Sequence, residues 1–281
     1  MRKRHIKLLL LALAPVIIFS CVKKSDDNLD RLEKFYLDNP ESISQVKFVH
    51  AYTPLTINGT PAAVTSGTTT TGTGFRITMD GKKINGAQDN ASNTNSLIWG
   101  GVYPPTSGAY AFLPPGSHNF KFVMNRITSG AFVPISGDEV FTTTVNLVPG
   151  KRYSMFIADP YSSPYTIEDN FAVPAPNQYG IRFVNLCGDA ASRFDVISTR
   201  LGIKLFSNVG YQEMKDYRYF GTTTSDTLYL RTAGTNTVIA QYPPAGSGGF
   251  TPSTQRVYTL YARGKTGVSG RTPSLALYTN R

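Results

Sequence analysis

The chain has 281 residues, of which 41% are hydrophobic and 12% aromatic, and its formal net charge is +10. This apolar fraction is enough for a hydrophobic core and excludes wholesale disorder, while the length allows one large domain or two small ones. The presence of only two cysteines excludes a disulfide-stapled mini-protein and any multi-cysteine zinc or iron–sulfur site.

The chain begins with a basic segment that is followed by an apolar one at 8–19. The basic residues are Arg2, Lys3, Arg4 and Lys7. The apolar stretch is shorter than the ~20 residues that a membrane-spanning helix needs. We therefore predict that residues 1–20 are a secretory signal peptide. Its removal takes away four basic residues and lowers the net charge from +10 to +6.

The predicted signal peptide ends at Ile18-Phe19-Ser20-Cys21. This segment resembles the lipobox of bacterial lipoproteins, in which a cysteine after a small residue is lipidated and becomes the first residue of the mature chain. The resemblance implies a lipid anchor on Cys21. The alternatives are a free or buried Cys21 after an ordinary signal peptide, or an uncleaved anchor. We expect the other cysteine, Cys187, to be a buried and inert thiol because it ends an apolar run.

Residues 21–43 are predicted to form a tether and a short helix. The charged stretch 22–27 resembles the export signal of surface lipoproteins in the Bacteroidota, which implies an outer-membrane protein displayed on the cell surface. The alternative is a plain solvated tether on a protein that faces the periplasm. Ser25 is suited to cap a helix that runs to Tyr36, and Asn39-Pro40 ends it.

From Ser44 onward the hydrophobic pattern has the period of two that is typical of β-strands. The clearest alternating segments are 45–51, 75–79, 118–124 and 152–158. Asp80-Gly81 is a strong hairpin turn signal. No segment after residue 43 shows a long helical period, so we predict an all-β protein.

Three sequence marks recur in the same order, which predicts two copies of one β-domain. The matching pairs of segments are 46–50 with 181–185, 113–118 with 230–235, and 152–158 with 256–262. We place the first β-sandwich domain at 44–158 and the second at 177–281. Between them, the proline-rich segment 159–176 is predicted to be a stiff linker.

The first predicted copy contains Lys47-Phe48-Val49-His50-Ala51, the Asp80-Gly81 hairpin and the turn Leu113-Pro114-Pro115-Gly116. These motifs resemble a bacterial family called domain of unknown function 4397, with its R/K-x-x-H-A start, D-G hairpin and L-P-A-G-like turn. The resemblance covers 44–158 well and 177–281 weakly, where Asn185 replaces the histidine. It implies an immunoglobulin-like β-sandwich for each copy. Together with the predicted repeat, signal peptide and tether, this gives two tandem immunoglobulin-like β-sandwich domains after a lipoprotein signal peptide and a short helical stalk. The resemblance implies no enzymatic activity.

The sequence contains no recognisable set of catalytic residues. The two histidines of the predicted mature chain, His50 and His118, lie on separate predicted strands. The acidic pairs 138–139 and 168–169 are sequence neighbours whose side chains diverge, whereas the carboxylates of a glycosidase face each other. We therefore predict no catalytic residue, no metal site and no cofactor, and we expect that the protein is not an enzyme.

Aromatic residues in Gly- and Pro-rich loops are the candidate ligand-binding residues. We predict that Trp99, Tyr103, Tyr161 and Tyr165 line a face that binds a glycan or a protein, because aromatic rings among adaptable polar loops are typical of binding surfaces. The alternative is that Trp99 and Tyr110 fill the core while the others decorate the surface.

Asp226-Thr227-Leu228 resembles the O-glycosylation signal of exported Bacteroidota proteins, which implies a sugar on Thr227. The basic excess of the mature chain is diffuse, so we expect no nucleic-acid partner. The expected partners are the membrane, through the lipid on Cys21, and a polysaccharide or a cell-surface protein. The resulting function is a non-catalytic envelope or adhesion-type binding module. The alternatives are an accessory glycan-binding subunit of a polysaccharide-uptake system and a structural protein that assembles through exposed edge strands.

Overall fold

The computed structural model describes residues 39–53, 56–57, 60–61, 71–85, 97–128, 131–158, 164–189, 192–268 and 271–281. The predicted signal peptide, Cys21, the helix predicted to end at Tyr36, and Tyr161 lie outside these residues. The described chain is nearly all β, which confirms the predicted class. Its helical structure is one 3₁₀ turn, Pro40–Ser42, and no helix in the described ranges is long and apolar enough to cross a membrane.

Alternating apolar residues produce short strands that are separated by Gly-, Pro- and Asn-rich turns. The strands before residue 170 are β1 (Ser44–Ala51), β2 (Thr56–Ile57), β3 (Thr60–Pro61), β4 (Thr71–Met79), β5 (Lys82–Lys83), β6 (Leu97–Ile98), β7 (Val102–Tyr103), β8 (Ala111–Leu113), β9 (Gly116–Thr128), β10 (Ala131–Leu147), β11 (Arg152–Ala158) and β12 (Tyr165–Glu168). The strands after it are β13 (Gln178–Asn185), β14 (Phe194–Ser198), β15 (Ile203–Val209), β16 (Met214–Gly221), β17 (Leu228–Thr232), β18 (Val238–Tyr242), β19 (Val257–Arg263) and β20 (Ser274–Thr279).

The strands before residue 170 form two sheets and a small ladder. Sheet I has the order β12-β11-β1-β7, and β8 also pairs with β1. Sheet II has the order β10-β9-β4-β5, and β6 also pairs with β4, while β2 and β3 pair with each other. The central pair of sheet I, β1 and β11, is parallel, whereas its other pairs are antiparallel.

The strands after residue 170 repeat this arrangement. Sheet III has the order β16-β13-β19-β20, and sheet IV has the order β15-β14-β17-β18. The central pair of sheet III, β13 and β19, is again parallel. Sheets I and III therefore share one strand order, with β13 in the place of β1, and sheets II and IV share another, with β17 in the place of β9.

Each pair of sheets encloses its own apolar core. Phe48 of sheet I packs between Phe120 and Phe122 of sheet II, with ring centroids 6.0 and 6.2 Å apart. Phe183 of sheet III stacks on Phe206 of sheet IV at 5.9 Å. The two cores are built by strands whose alternate side chains point inward, as the period of two predicts.

A third core lies between sheets I and III. Val49, Ala51 and Phe156 of sheet I pack against Val184 and Tyr261 of sheet III. The two central parallel pairs are therefore covered on both faces, and their strands are buried along almost their whole length. Burial on both faces explains why these segments are nearly continuous apolar runs. Glu41–Arg281 forms one compact unit.

Two details of the predicted organisation differ from the structure. The predicted linker 159–176 contains β12, which pairs with β11 and extends sheet I, because its apolar residue Ile167 is buried in the third core. The segment therefore belongs to the fold rather than being only a spacer. The turn at 113–116 precedes β9, whereas the turn at 232–235 follows β17, so these two marks do not occupy equivalent positions.

Candidate functional site

Two of the predicted aromatic residues, Tyr103 and Tyr165, lie on opposite faces of sheet I. Tyr103 on β7 lies beside Phe48 at the first core, and its hydroxyl donates to the Ile84 carbonyl at 2.8 Å. Tyr165 on β12 stacks on Phe156 on the opposite face of sheet I, in the third core. Side chains on a β-sheet point to one of its two faces, and those of Tyr103 and Tyr165 point to opposite faces of sheet I. These two residues therefore do not form the shared aromatic surface that the sequence predicts.

Trp99 lies where the chain turns between β6 and β7, at the end of β1. The Gly100 N–H donates to the His50 carbonyl at 2.8 Å, and the His50 N–H donates to the Gly101 carbonyl at 3.0 Å. The indole is half-buried. These backbone bonds hold the Trp99 turn against the last residues of β1.

Two arginines from sheet III and the turn after it reach this indole. The guanidinium carbons of Arg263 and Arg271 lie 4.1 and 5.5 Å from the Trp99 ring centroid, a cation–π arrangement. Gly100 has a positive φ of 78°, and a Cβ there would overlap the Arg263 guanidinium, so only glycine permits this approach. We call His50, Trp99, Arg263 and Arg271 the cationic corner.

The electrostatics of the cationic corner keep His50 neutral. Its side chain is fully buried, with the ring 4.6 Å from that of Phe75. Burial and the charges of Arg271 and Arg263 hold the pKa of His50 well below its ordinary value. Burial and the charge of Arg263 also lower the pKa of Arg271. The cationic corner thus contains two guanidinium groups, those of Arg263 and Arg271, at a site that is partly shielded from solvent.

Several nitrogen atoms of the cationic corner are buried without a hydrogen-bond partner in the described ranges. They are His50 Nε2, Trp99 Nε1, and Arg263 Nε and Nη1. Buried polar atoms in proteins almost always have a partner. Sequence reasoning selected Trp99 but missed both arginines, because they come from a segment remote in the chain and carry no local motif.

A second polar cluster is buried between sheets I and III. At its centre is Asp169, whose Oδ1 accepts a hydrogen bond from the Arg182 guanidinium, with the two side chains 0% and 1% exposed. Asp169 Oδ2 accepts from Tyr110 Oη at 2.7 Å, Ser154 Oγ at 2.7 Å and Asn280 Nδ2 at 3.3 Å. Both carboxylate oxygens are therefore satisfied, and Asp169 connects the two sheets.

Lys47 lies in the same interface, on β1 in the position that Arg182 occupies on β13. Its Nζ donates to the Thr279 carbonyl at 2.6 Å and lies 4.7 Å from the centroid of the Tyr110 ring. Burial lowers the pKa of Lys47 to about 8, although the charge of Asp169 acts in the opposite direction. Burial also disfavours the charge on Arg182, but Asp169 outweighs it and the pKa of Arg182 is raised.

The replacement of His50 by Asn185 in the second half preserves one hydrogen bond. His50 Nδ1 accepts from the Tyr52 N–H at 3.2 Å, and Asn185 Oδ1 accepts from the Cys187 N–H at 3.0 Å. In each case the side chain at the end of the strand binds the backbone two residues later. An acceptor, rather than a histidine, is what this position requires.

The Asp80-Gly81 hairpin and the turn before β9 meet through His118. His118 Nδ1 lies 2.6 Å from Asp80 Oδ2, and its Nε2 lies 2.9 Å from the Pro114 carbonyl oxygen. Both ring nitrogens face acceptors, which suits the doubly protonated imidazolium. Burial lowers the pKa of His118, but the hydrogen bond and charge of Asp80 outweigh it, so the pKa is raised overall.

The remaining predicted groups have structural surroundings. Cys187 is a free and buried thiol, as predicted, and burial raises its pKa to about 12, so it stays protonated. Thr227 is half-buried, while its neighbour Asp226 is buried and accepts from Ser198 Oγ at 2.5 Å. A sugar on Thr227 stays a prediction. Within the described ranges, no group of three or more His, Cys, Asp or Glu residues could hold a metal ion.

The chain is similar to two solved structures from Bacteroides. One is a leucine-rich repeat protein from Bacteroides thetaiotaomicron, with 11% identity, a TM-score of 0.19, and coverage of 78% of this chain and 26% of that protein. The other is a candidate cell adhesion protein from Bacteroides fragilis, with 13% identity, a TM-score of 0.19, and coverage of 85% and 98%. The chain thus spans about a quarter of the leucine-rich repeat protein. No curated protein matches the sequence.

The family model described as Domain of unknown function (DUF4397) matches residues 77–197. The match begins in β4, includes the Asp80-Gly81 hairpin and the turn before β9, and ends in β14. It therefore crosses the segment 159–176, where the sequence predicts a boundary between two copies. Residues 77–197 contain a DUF4397 domain, a family whose function is unknown.

Proposed function

We propose that this protein is a lipid-anchored outer-membrane protein that binds a ligand at the cell surface and catalyses no reaction. The observation that carries the proposal is the set of four buried nitrogen atoms on His50, Trp99 and Arg263 that have no partner in the described ranges. A buried polar group without a partner costs about 1–3 kcal/mol. A ligand that supplies the missing partners removes that cost, so the cationic corner has the chemistry of a binding site.

The use of the titratable groups favours binding over catalysis. Both carboxylate oxygens of Asp169 accept hydrogen bonds inside the interface, and the carboxylate of Asp80 is hydrogen-bonded to His118. The Cys187 thiol, with a pKa raised to about 12 by burial, is a poor nucleophile at neutral pH. Groups that are committed to structural partners are not available for acid–base or nucleophilic chemistry.

The proposal includes two tandem immunoglobulin-like modules of the DUF4397 type. Its support is the shared strand order of the two sheet pairs and the equivalent positions of Lys47 and Arg182, each a buried cation on the first strand of its half. Each half contributes to the other's polar interface, since Lys47 donates to the Thr279 carbonyl and Arg182 donates to Asp169. We propose that the two modules are one rigid unit that presents the cationic corner at their junction.

The proposed anchor is tested by comparing the wild-type protein with Cys21→Ala in intact cells. Membrane fractionation and protease shaving would measure retention and exposure. We expect wild-type protein in the membrane fraction and accessible to external protease, and Cys21→Ala released from the membrane. Wild-type protein that resists shaving until the outer membrane is opened would place the proposed module on the periplasmic face and contradict surface display.

The proposed binding role is tested with the Trp99→Ala variant on arrays of bacterial polysaccharides and in a cell-adhesion assay. We expect Trp99→Ala to lose binding, because it removes the indole on which Arg263 and Arg271 lie. Tyr219→Ala is the matched control, since it removes a ring that is 37% exposed on β16, outside the cationic corner. Equal binding by wild type and Trp99→Ala, with both variants folded, would contradict the proposed site.

Binding of the wild-type protein to the polysaccharide arrays would favour an accessory glycan-binding subunit. Binding of the wild-type protein to cells but not to the arrays would favour adhesion to a surface protein. The two outcomes separate the two functions within the same class. The number of exposed acceptor groups on a polysaccharide makes it a suitable first probe, because the unpartnered groups of the cationic corner are nitrogen atoms.

A further inference from the structure

The unpartnered nitrogen atoms of the cationic corner are all hydrogen-bond donors. The indole nitrogen of Trp99 and the guanidinium nitrogens of Arg263 carry hydrogens at neutral pH. His50 is neutral, because burial and the two arginines hold its pKa far below the ordinary value. Its Nδ1 accepts from the Tyr52 N–H at 3.2 Å, so its one hydrogen lies on Nε2. Four buried N–H groups thus lack an acceptor among the residues that the structure describes.

The charge of the cationic corner has the same sign throughout. The guanidinium carbons of Arg263 and Arg271 lie 4.1 and 5.5 Å from the centroid of a single indole ring, and like charges this close repel each other. The ion pairs found in the described ranges do not include Arg263. A negative group beside Arg263 would offset this repulsion and accept hydrogen bonds at the same time.

We propose that the cationic corner binds the oxyanion group, a carboxylate or a sulfate, of an acidic saccharide. Such a group combines negative charge with several acceptor lone pairs, which complements N–H donors on a planar guanidinium, an indole and an imidazole. The half-buried Trp99 ring supplies apolar surface for the saccharide next to the anion. The inference rests on the proposed binding function, since it names the ligand class of the same site.

The backbone prepares part of this site in advance. The backbone hydrogen bonds between His50 and the Gly100-Gly101 segment, at 2.8 and 3.0 Å, hold the turn that carries the indole against the end of β1, which carries the imidazole. Arg263 comes from the other half of the chain and, like Trp99, is half-buried, so both side chains are partly open to the surface. The Nε and Nη1 atoms of Arg263 are screened from solvent, so we expect anion binding to require a shift of the guanidinium on the indole. Binding should therefore change the surroundings of Trp99.

Trp99 is the only tryptophan in the chain, so intrinsic fluorescence reports directly on the cationic corner. The purified protein is titrated with sodium glucuronate and with sodium sulfate at constant ionic strength, which removes general salt screening as a cause. Glucose is the neutral control with the same ring type as glucuronate. We expect a saturable fluorescence change with glucuronate and sulfate, and none with glucose.

Variants at Arg263 test the donor itself. We expect Arg263→Met to weaken glucuronate binding at least about tenfold, because a charge-assisted bidentate contact is lost. Arg263→Lys keeps the charge without the planar fork, so its loss should be smaller. Arg193→Met, which removes an arginine that is 46% exposed and paired with Glu213, should bind like the wild type.

The outcomes distinguish this inference from the proposed function. An equal response to glucose and glucuronate, or a folded Arg263→Met variant that binds like the wild type, would overturn the anion site. If Arg263→Met fails to fold, Arg263→Lys and the comparison of glucuronate with glucose still decide. If Trp99→Ala abolishes polysaccharide binding while glucuronate and sulfate leave wild-type fluorescence unchanged, the anion inference fails and the binding function stands. If neither probe nor polysaccharide responds, both fail.

Discussion

Replacing Asp169 by asparagine removes the negative charge that Arg182 and three hydroxyl or amide donors share between sheets I and III. The side chains of Asp169 and Arg182 are 0% and 1% exposed, so water cannot replace the lost carboxylate. An uncompensated buried charge costs about 3–5 kcal/mol when its partner is removed. For a protein of this size that loss lowers Tm by about 6–20 °C, since each kcal/mol corresponds to about 2–4 °C.

Urea unfolding and thermal melts of Asp169→Asn, followed by circular dichroism, measure this loss. Glu168→Gln is the matched control: it makes the same chemical change one residue earlier, in an ion pair with Lys151 whose side chains are 40% and 47% exposed, and it should shift Tm little. The double variant Asp169→Asn with Arg182→Met should be less destabilised than Asp169→Asn alone, because the Arg182 charge is no longer left buried without its partner. Equal effects of Asp169→Asn and Glu168→Gln would refute the argument that the buried pair holds the two sheets together.

Three further predictions concern titration and backbone geometry. The folded-state pKa of Lys47 is about 8 against an ordinary value of 10.5, so the free energy of unfolding should rise between these pH values, by up to about 1.4 kcal/mol per pH unit. Lys47→Met should lack this rise when urea unfolding is compared at about pH 7 and about pH 9.5. The pKa of His118 is raised, so its contribution to stability is complete below its ordinary value of 6.5 and is lost as pH rises through the raised pKa. An NMR titration should give a His118 pKa above 6.5 that falls in Asp80→Asn, and an unchanged value would contradict the pairing. Gly264→Ala should lower Tm more than Gly267→Ala: both residues have positive φ, 101° and 78°, but a Cβ at Gly264 would overlap the carbonyl oxygen of Thr272, while at Gly267 it meets open space. Similar losses in the two variants would show that the close approach at Gly264 is unimportant.

The sequence contains one indication of the polar interface between sheets I and III. Lys47 and Arg182 each interrupt an apolar strand segment at the same position of a matching motif. A basic residue on a strand that is buried on both faces must find an anion or a carbonyl in the interior. What the sequence lacks is the identity of those partners, because the acceptor of Lys47 is the carbonyl of Thr279, 232 residues away.

The cationic corner illustrates the same limit more strongly. Trp99 is conspicuous because it is the only tryptophan of the sequence and lies in a Gly-rich turn. Arg263 ends β19, and nothing in its neighbourhood indicates that it crosses to the other half of the chain and lies on that indole. Tyr103 and Tyr165 show the same limit, because sheet pairing places these two tyrosines on opposite faces of sheet I.

The sequence by itself determined the all-β class, the strand pattern and the motifs of the DUF4397 domain, because alternation of apolar residues and turn chemistry are properties of neighbouring residues. It also determined that Cys187 would be buried, since an apolar strand surrounds it. Only the tertiary structure decided that sheets I and III pack face to face, that part of the proline-rich segment is a strand, and which cations meet Trp99 and Asp169. Those facts depend on which distant strands share a sheet and which faces they bury, and local patterning carries no information about either.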